Sequence, residues 1–395
     1  TGDLDIRAPM TIIGTGQGQL DPGDPASGTL VYGNDSDRIF DVHSNFSGAV
    51  QIRDLVLAHG ERPNNNGGAI YNRGNLTLRR ITAFKNEADL GGAVYSTDRL
   101  TMIDCIVDGG LSADDGGGLY LTAGSNTTLT RTVFTDNEAG GTGGGIYNSG
   151  TLALNQSQLG GFYFSPSNKS TNDAAWGGGI HNTGTGSLTL VQSTIGRNRA
   201  TGLRGGGLAN DGAVTMTNST ISGNISANEG GNISNRNTGT ITMLNSTVAQ
   251  GSAPDGSAIK NQGSISTTNS LFAGACTGAD LNSSGGNLES PGNGCGLNQA
   301  SDQTGVASGL LILYPLSDFG GLTDTNKLGF GSPAIDAALN GPCPNKDQRD
   351  EDRPLDGDDS GSSICDIGAF EGAPSLFADG FETGDTSRWA GTFPP

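Results

Sequence analysis

The chain has 395 residues, of which 67 are glycine, about 17% where an ordinary globular protein carries roughly 7%. With 33% hydrophobic and 15% charged residues it is neither oily enough for a helical membrane protein nor charged enough for a disordered one. A formal charge of −19 works against nucleic acid and anionic lipid as partners, and no run is long and apolar enough for a membrane-spanning helix.

In chain order, the first 66 residues carry short runs that alternate apolar with polar side chains: Asp3-Leu4-Asp5-Ile6, Met10-Thr11-Ile12-Ile13, Ile39-Phe40-Asp41-Val42 and Val50-Gln51-Ile52. They read as irregular early coils whose first strand is an edge open to pairing. Gly14-Thr15-Gly16-Gln17-Gly18 is not a phosphate cradle, because the proline-rich segment after it cannot start the required helix. From Gly67 a di- or triglycine followed by an aliphatic residue recurs at Ile70, Val94, Leu119, Ile146, Ile180 and Leu208, with weaker copies at Ile233 and Ile259. The steps are 24, 25, 27, 34, 28, 25 and 26 residues, a repeat of about 25.

Between the markers lie period-two runs such as Leu76-Thr77-Leu78 and Leu188-Thr189-Leu190. Two residues past the marker stand Asn72, Asn148, Asn182, Asn210, Asn235 and Asn261, and a second set closes the third strand at Asn86, Asn137, Asn198 and Asn224. Amides in one phase can bond from coil to coil. The pattern predicts an all-β chain, a right-handed parallel β-helix of three-strand coils, regular over 67–297. A cap with an acidic loop is expected over 298–372 and a short tail over 373–395.

The Gly-Gly-x-aliphatic-Tyr-Asn repeat, with Phe84-Lys85-Asn86 and Phe134-Thr135-Asp136-Asn137 after it, resembles the polymorphic outer-membrane protein repeats of bacterial surface proteins. Gly2-Asp3-Leu4-Asp5-Ile6, Gly331-Ser332-Pro333-Ala334-Ile335-Asp336, Asp347-Gln348-Arg349 and Cys365-Asp366-Ile367-Gly368-Ala369-Phe370-Glu371 resemble bacterial exported choice-of-anchor Q proteins. One departure is Asp350, where similar proteins have a glycine after the arginine. The resemblance implies export to the bacterial cell surface or the extracellular space, with a signal peptide upstream of Thr1. The tail, with Phe377, Phe381, Trp389 and Phe393, resembles a C-terminal sorting or attachment motif and is a candidate assembly element. In an exported protein Cys276 with Cys295 and Cys343 with Cys365 are the expected disulfides, each closing a loop worth roughly 3 kcal/mol, with Cys105 left over.

Candidate sites follow from the register. Tyr71, Tyr95, Tyr120, Tyr147 and His181 occupy one outward position in successive coils, where they stack on one another or against sugar rings. The 34-residue repeat carries Phe162, Tyr163, Phe164 and Trp176 in an expected inserted loop, a ligand-site candidate. Asp350, Asp352, Asp356, Asp358 and Asp359 form an acidic run that calcium would relieve, with salt-bridged solvation as the alternative. Partners are then a surface or matrix component, a glycan, or further copies through the solenoid ends or tail. A polysaccharide-cleaving lyase or hydrolase on the same scaffold is the rival reading. It requires an acid, a base or an arginine in phase on adjacent coils, and no such cluster stands out in the sequence.

Overall fold

A computed structural model describes residues 2–16, 28–161 and 171–372. Among these there is no helix, and every strand pairing is parallel apart from isolated bridges in the C-terminal region. The markers stack in one eleven-stranded sheet that runs from Leu4–Ile6 through Phe40–Val42, Ile70–Asn72 and six further coils to Ile259–Asn261 and Cys276–Gly278. A second, larger sheet holds the alternating runs, and a seven-stranded sheet from Glu61–Asn66 to Ile225–Ser226 closes each turn. The chain is therefore a right-handed parallel β-helix, the hand that parallel crossovers take.

All eight aliphatic markers are at most 1% exposed and point into one column. Leu152 and Leu154, with their equivalents Leu188 and Leu190, fill the opposite wall from the second sheet. Burying each such side chain contributes roughly 1.5–3 kcal/mol. Each coil turns three corners in the left-handed region; from Leu119 these are Arg131 (φ 49°), Asp136 (φ 55°) and Gly143 (φ 69°). Only the third is glycine in every coil from Gly67 to Gly256, and the packing explains why. A Cβ on Gly143 would lie 2.4 Å from the Ile146 carbonyl oxygen, and one on Gly144 would lie 2.4 Å from that of Asp173. Backbone cannot retreat as a flexible side chain can, so Gly143 is set by its own tight corner and Gly144 by the close approach of the next coil.

The asparagine ladders form as the phase implies. Asn148 Nδ2 donates to Asn182 Oδ1 at 2.8 Å, Asn182 to Asn210 at 2.8 Å, Asn210 to Asn235 at 2.8 Å and Asn235 to Asn261 at 3.0 Å. The second ladder runs Asn137, Asn172, Asn198, Asn224 and Asn232, with bonds of 2.8–3.0 Å. Every member is buried, so the ladder supplies the hydrogen-bond partners that solvent gives an exposed amide.

The strands end at Leu288–Ser290. Residues 301–306 extend the last turn, with Gln303 N bonded to Asn287 O and Asn287 Nδ2 to Asp302. The rest of the C-terminal region folds back along one flank as a strap. Leu316 is seated in the space that Gly196 leaves, since a Cβ there would lie 2.4 Å from its Cδ2. Thr194 Oγ1 bonds Asp324 O at 2.6 Å, Gln192 bonds Asp347 O, Asn218 bonds Lys346 O and Asn269 bonds Leu339 O. The first-corner residues change with this cover. They are charged at Asp54, Arg80, Asp104 and Arg131 and amides from Gln156 on; Gln156 donates to Gln192, while Gln192, Asn218, Asn245 and Asn269 donate to strap carbonyls.

The unusual Asp350 has φ +73°, so the turn that a glycine would make is kept with an aspartate in it. A left-handed non-glycine residue costs roughly 1 kcal/mol, less for aspartate than for most. Asp350→Gly is therefore expected to raise stability by up to about 1 kcal/mol in urea unfolding at constant m-value; a loss would show that the aspartate carboxylate holds the turn.

Candidate functional site

The outward row beside the markers consists of Tyr71, Tyr95, Tyr120, Tyr147 and His181, each on the three-residue strand of its coil and in register with the next. Tyr95, Tyr120 and Tyr147 lie face to face, with centroids 5.0 and 4.5 Å apart and planes within 11° and 7°. Tyr71 meets Tyr95 edge-on at 5.1 Å, and Tyr147 meets His181 edge-on at 5.3 Å. Ring faces along the row are thus spent on one another. A sugar cannot lie flat on the inner tyrosines, and what they offer outward is ring edges and phenol hydroxyls. Burial raises the Tyr95 and Tyr120 phenols above their usual range, so they remain neutral.

Guanidinium groups close the row at its first end. Arg38 and Arg73 lie over Tyr71 at 5.1 and 4.9 Å. Their charge is met by Asp3 and Asp41, while His43 bonds Asp5 at 2.6 Å. At the other end Trp176 sits edge-on to His181 at 6.3 Å, with Arg204 over its indole at 4.2 Å. Trp176 is the last residue of the strand Asp173–Trp176 and not part of an inserted loop, which corrects the sequence expectation. The two-residue phase that placed the tyrosines was not extended to the other side of the glycine corner. Phe162, Tyr163 and Phe164 lie outside the described residues, as do Phe377, Phe381, Trp389 and Phe393.

A second candidate was missed in the sequence. An open cavity of about 250 Å³ is lined by Asp35, His59, Glu61, Lys85 and Glu87 beside the backbone of Gly109. Glu61 and Glu87 are register partners on adjacent coils, 26 residues apart, so the phase-matched carboxylate pair does exist. His59 Nδ1 lies 3.0 Å from Asp35. Glu87 is pushed above the usual carboxylate range by burial, helped by the charges of Glu61 and Asp35. The signal is one coil length separating two glutamates, but Glu61 precedes the first glycine marker, so the repeat does not fix its phase.

The acidic run does not gather as a unit. Asp356 and Asp358 converge with Asp336, one carboxylate oxygen of each lying within 4.8 Å of the others. Asp352 pairs instead with Lys346 at 2.9 Å, and Asp350 and Asp359 stand at left-handed turn positions. Asp336, Asp356 and Asp358 already accept from the amides of Asp358, Ser360 and Gly361. Three carboxylates fall short of the six to eight oxygens calcium takes, so an ion there would need water or carbonyls as well.

Cys276 is bonded to Cys295 and Cys343 to Cys365. The first bond ties the last strand of the marker sheet to the turn after the final strand, and the second ties the two arms of the strap. Cys105 is free and buried, and desolvation pushes its thiol up to about 12, which leaves it protonated and inert.

Comparison with curated proteins returns no match. Residues 131–149, which carry Phe134, Asn137, the triglycine, Ile146, Tyr147 and Asn148, match the Chlamydia polymorphic membrane protein repeat.

Proposed function

We propose that the protein is a non-enzymatic, adhesin-like rod of the bacterial cell surface that contacts glycans through its outward tyrosine row. The observation that carries this is the uninterrupted line of phenol edges from Tyr71 to Tyr147, fixed by stacking and therefore presented at little entropic cost on binding. The matched repeat supports the location, and the two disulfides suit an oxidising exterior. Exposed Leu4, Ile13, Leu30 and Tyr32 on the first coils support a further contact there, with another copy as the natural partner.

The test removes the hydroxyls and keeps the rings. A chain with Tyr95→Phe, Tyr120→Phe and Tyr147→Phe together is expected to melt within a few degrees of the parent, yet to lose most of its retention on glycan-coated beads. Unchanged retention would overturn the reading.

A second reading, polysaccharide hydrolysis, is favoured by the Glu61 and Glu87 pair. Neighbouring parallel strands place Cα atoms about 4.8 Å apart, which suits the roughly 5–5.5 Å between carboxyl groups of a retaining mechanism. Release of reducing sugar from a polysaccharide panel, abolished by Glu87→Gln, would establish it; no release by the parent chain would remove it.

A further inference from the structure

The residues that precede each glycine corner form a column of their own: Thr142, Trp176, Arg204, Glu229 and Asp255 are in register on successive coils. Five residues later in each coil, across the corner, stand Tyr147, His181, Ala209, Ser234 and Lys260, also in register. The two columns engage across the corner. Trp176 meets the His181 ring, Ser234 Oγ reaches Glu229 at 3.5 Å, and Lys260 Nζ bonds Asp255 at 2.6 Å. Thr142 bonds the His181 ring of the next coil at 2.7 Å, whereas the residue facing Arg204 is Ala209, a methyl group.

Its guanidinium consequently makes no hydrogen bond across the corner. Arg204 is 5% exposed, and its Nε and Nη1 have no hydrogen-bond partner. Its Nη2 stands 3.9 Å from Asp211, a carboxylate already shared by His181 Nε2 at 3.3 Å and Arg236 Nε at 3.5 Å. Buried donors without an acceptor are costly; Nε and Nη1 are themselves sealed from solvent, so an acceptor from outside meets Nη2 first and must shift a neighbour to reach the other two.

We propose that Arg204 takes the carboxylate of an acidic sugar, at the end of the tyrosine row where a bound glycan would run. The inference rests on the glycan reading above and adds the class of sugar. A planar guanidinium fork matches a carboxylate, a charged acceptor is held more strongly than a hydroxyl, and the Trp176 stack fixes the plane in which it arrives. Glu229 is in register with Arg204 and Asp211 lies 3.9 Å from its Nη2, so both carboxylates oppose the incoming one and limit its affinity.

The test is isothermal titration of the full chain at 0.15 M salt, where long-range repulsion from the net charge is largely screened. The probes are trigalacturonate, neutral maltotriose and a sulfated trisaccharide. The parent is expected to bind trigalacturonate about 10-fold more tightly than either of the others. Arg204→Gln should erase that preference with maltotriose affinity unchanged, and Arg204→Lys, which keeps the charge without the fork, should lose most of it. Glu229→Gln, which leaves Arg204 in place, should strengthen trigalacturonate binding several-fold and so serves if the arginine variants fail to fold. Equal binding of trigalacturonate and maltotriose by the parent, a preference that survives Arg204→Gln, or equal binding of the sulfated sugar would overturn the inference alone. Binding of none of the three would overturn it together with the glycan reading.

Discussion

Replacing Ile146 by aspartate is expected to abolish the cooperative thermal transition of the solenoid. Ile146 is fully buried, paired in register with Leu119 on one side and Ile180 on the other, and walled by the glycine corner that precedes it. Losing the side chain to alanine would already cost about 2–5 kcal/mol, and a carboxylate there has no partner to offset its desolvation. The marker column is all apolar and the nearest asparagine ladder is closed by its own amide bonds, so the charge has nowhere to turn. Within the solenoid a coil packs only on its two neighbours, so the damage divides the stack at this point even though Gln158 of the same coil also bonds the strap at Asp324. Ile146→Val, which removes one methyl, should cost only about 0.5–1.5 kcal/mol and keep the transition. Calorimetry of both variants checks the claim; a soluble Ile146→Asp protein with an unaltered melting curve refutes it.

The solenoid was legible because close backbone approach leaves one choice of residue. At Gly143 and Gly144 neighbouring carbonyls forbid a Cβ, so the sequence must repeat there, and the aliphatic and asparagine columns are phased from that mark. Where the phase is interrupted the reading fails. Asn172 continues the second ladder, but the longer stretch before it hides it, and Asn232 joins the ladder from beside its own marker, not from the end of a third strand. The Glu61 and Glu87 pair is hidden for a similar reason, since Glu61 lies before Gly67, the first glycine marker. The strap is harder still. Its seat is written as small residues at Gly196, Ser222 and Ala249 and as amides at Gln192, Asn218 and Asn245, a pattern that has meaning only when the covering segment is known. The arginine at 204 could have been placed by counting five residues back from Ala209. Nothing in its type, however, tells a bound guanidinium from an unpartnered one.

The strap itself is expected to loosen as pH rises from about 6 to 9. At its centre Asp366 and Glu371 are buried beside Arg353, with Arg353 Nε 3.5 Å from Glu371 Oε2 and Arg353 Nη2 bonded to Gly368 O at 2.8 Å. Desolvation first, and then the charge of Glu371, push the Asp366 carboxyl up to about 8 from an ordinary value of 3.8. Burial also raises Glu371. Between those limits the folded strap holds a proton that the released chain gives up, so the folded state binds more protons and stability falls with rising pH. While one proton separates the two states, the slope is about 1.4 kcal/mol per pH unit. The stabilisation is fully present near pH 4 and lost as pH passes 8. Hydrogen exchange of residues 311–372 should therefore quicken from pH 6 to 9, after correction for intrinsic rates, by more than that of the marker strands. Asp366→Asn gives the control. Asp366 Oδ1 and Oδ2 accept from the amides of Asp336 and Gly372, and an asparagine can keep only one of those bonds. The variant should be weaker than the parent at pH 6 yet show a flatter pH dependence. Parallel curves for the two chains would mean that Asp366 does not carry the proton.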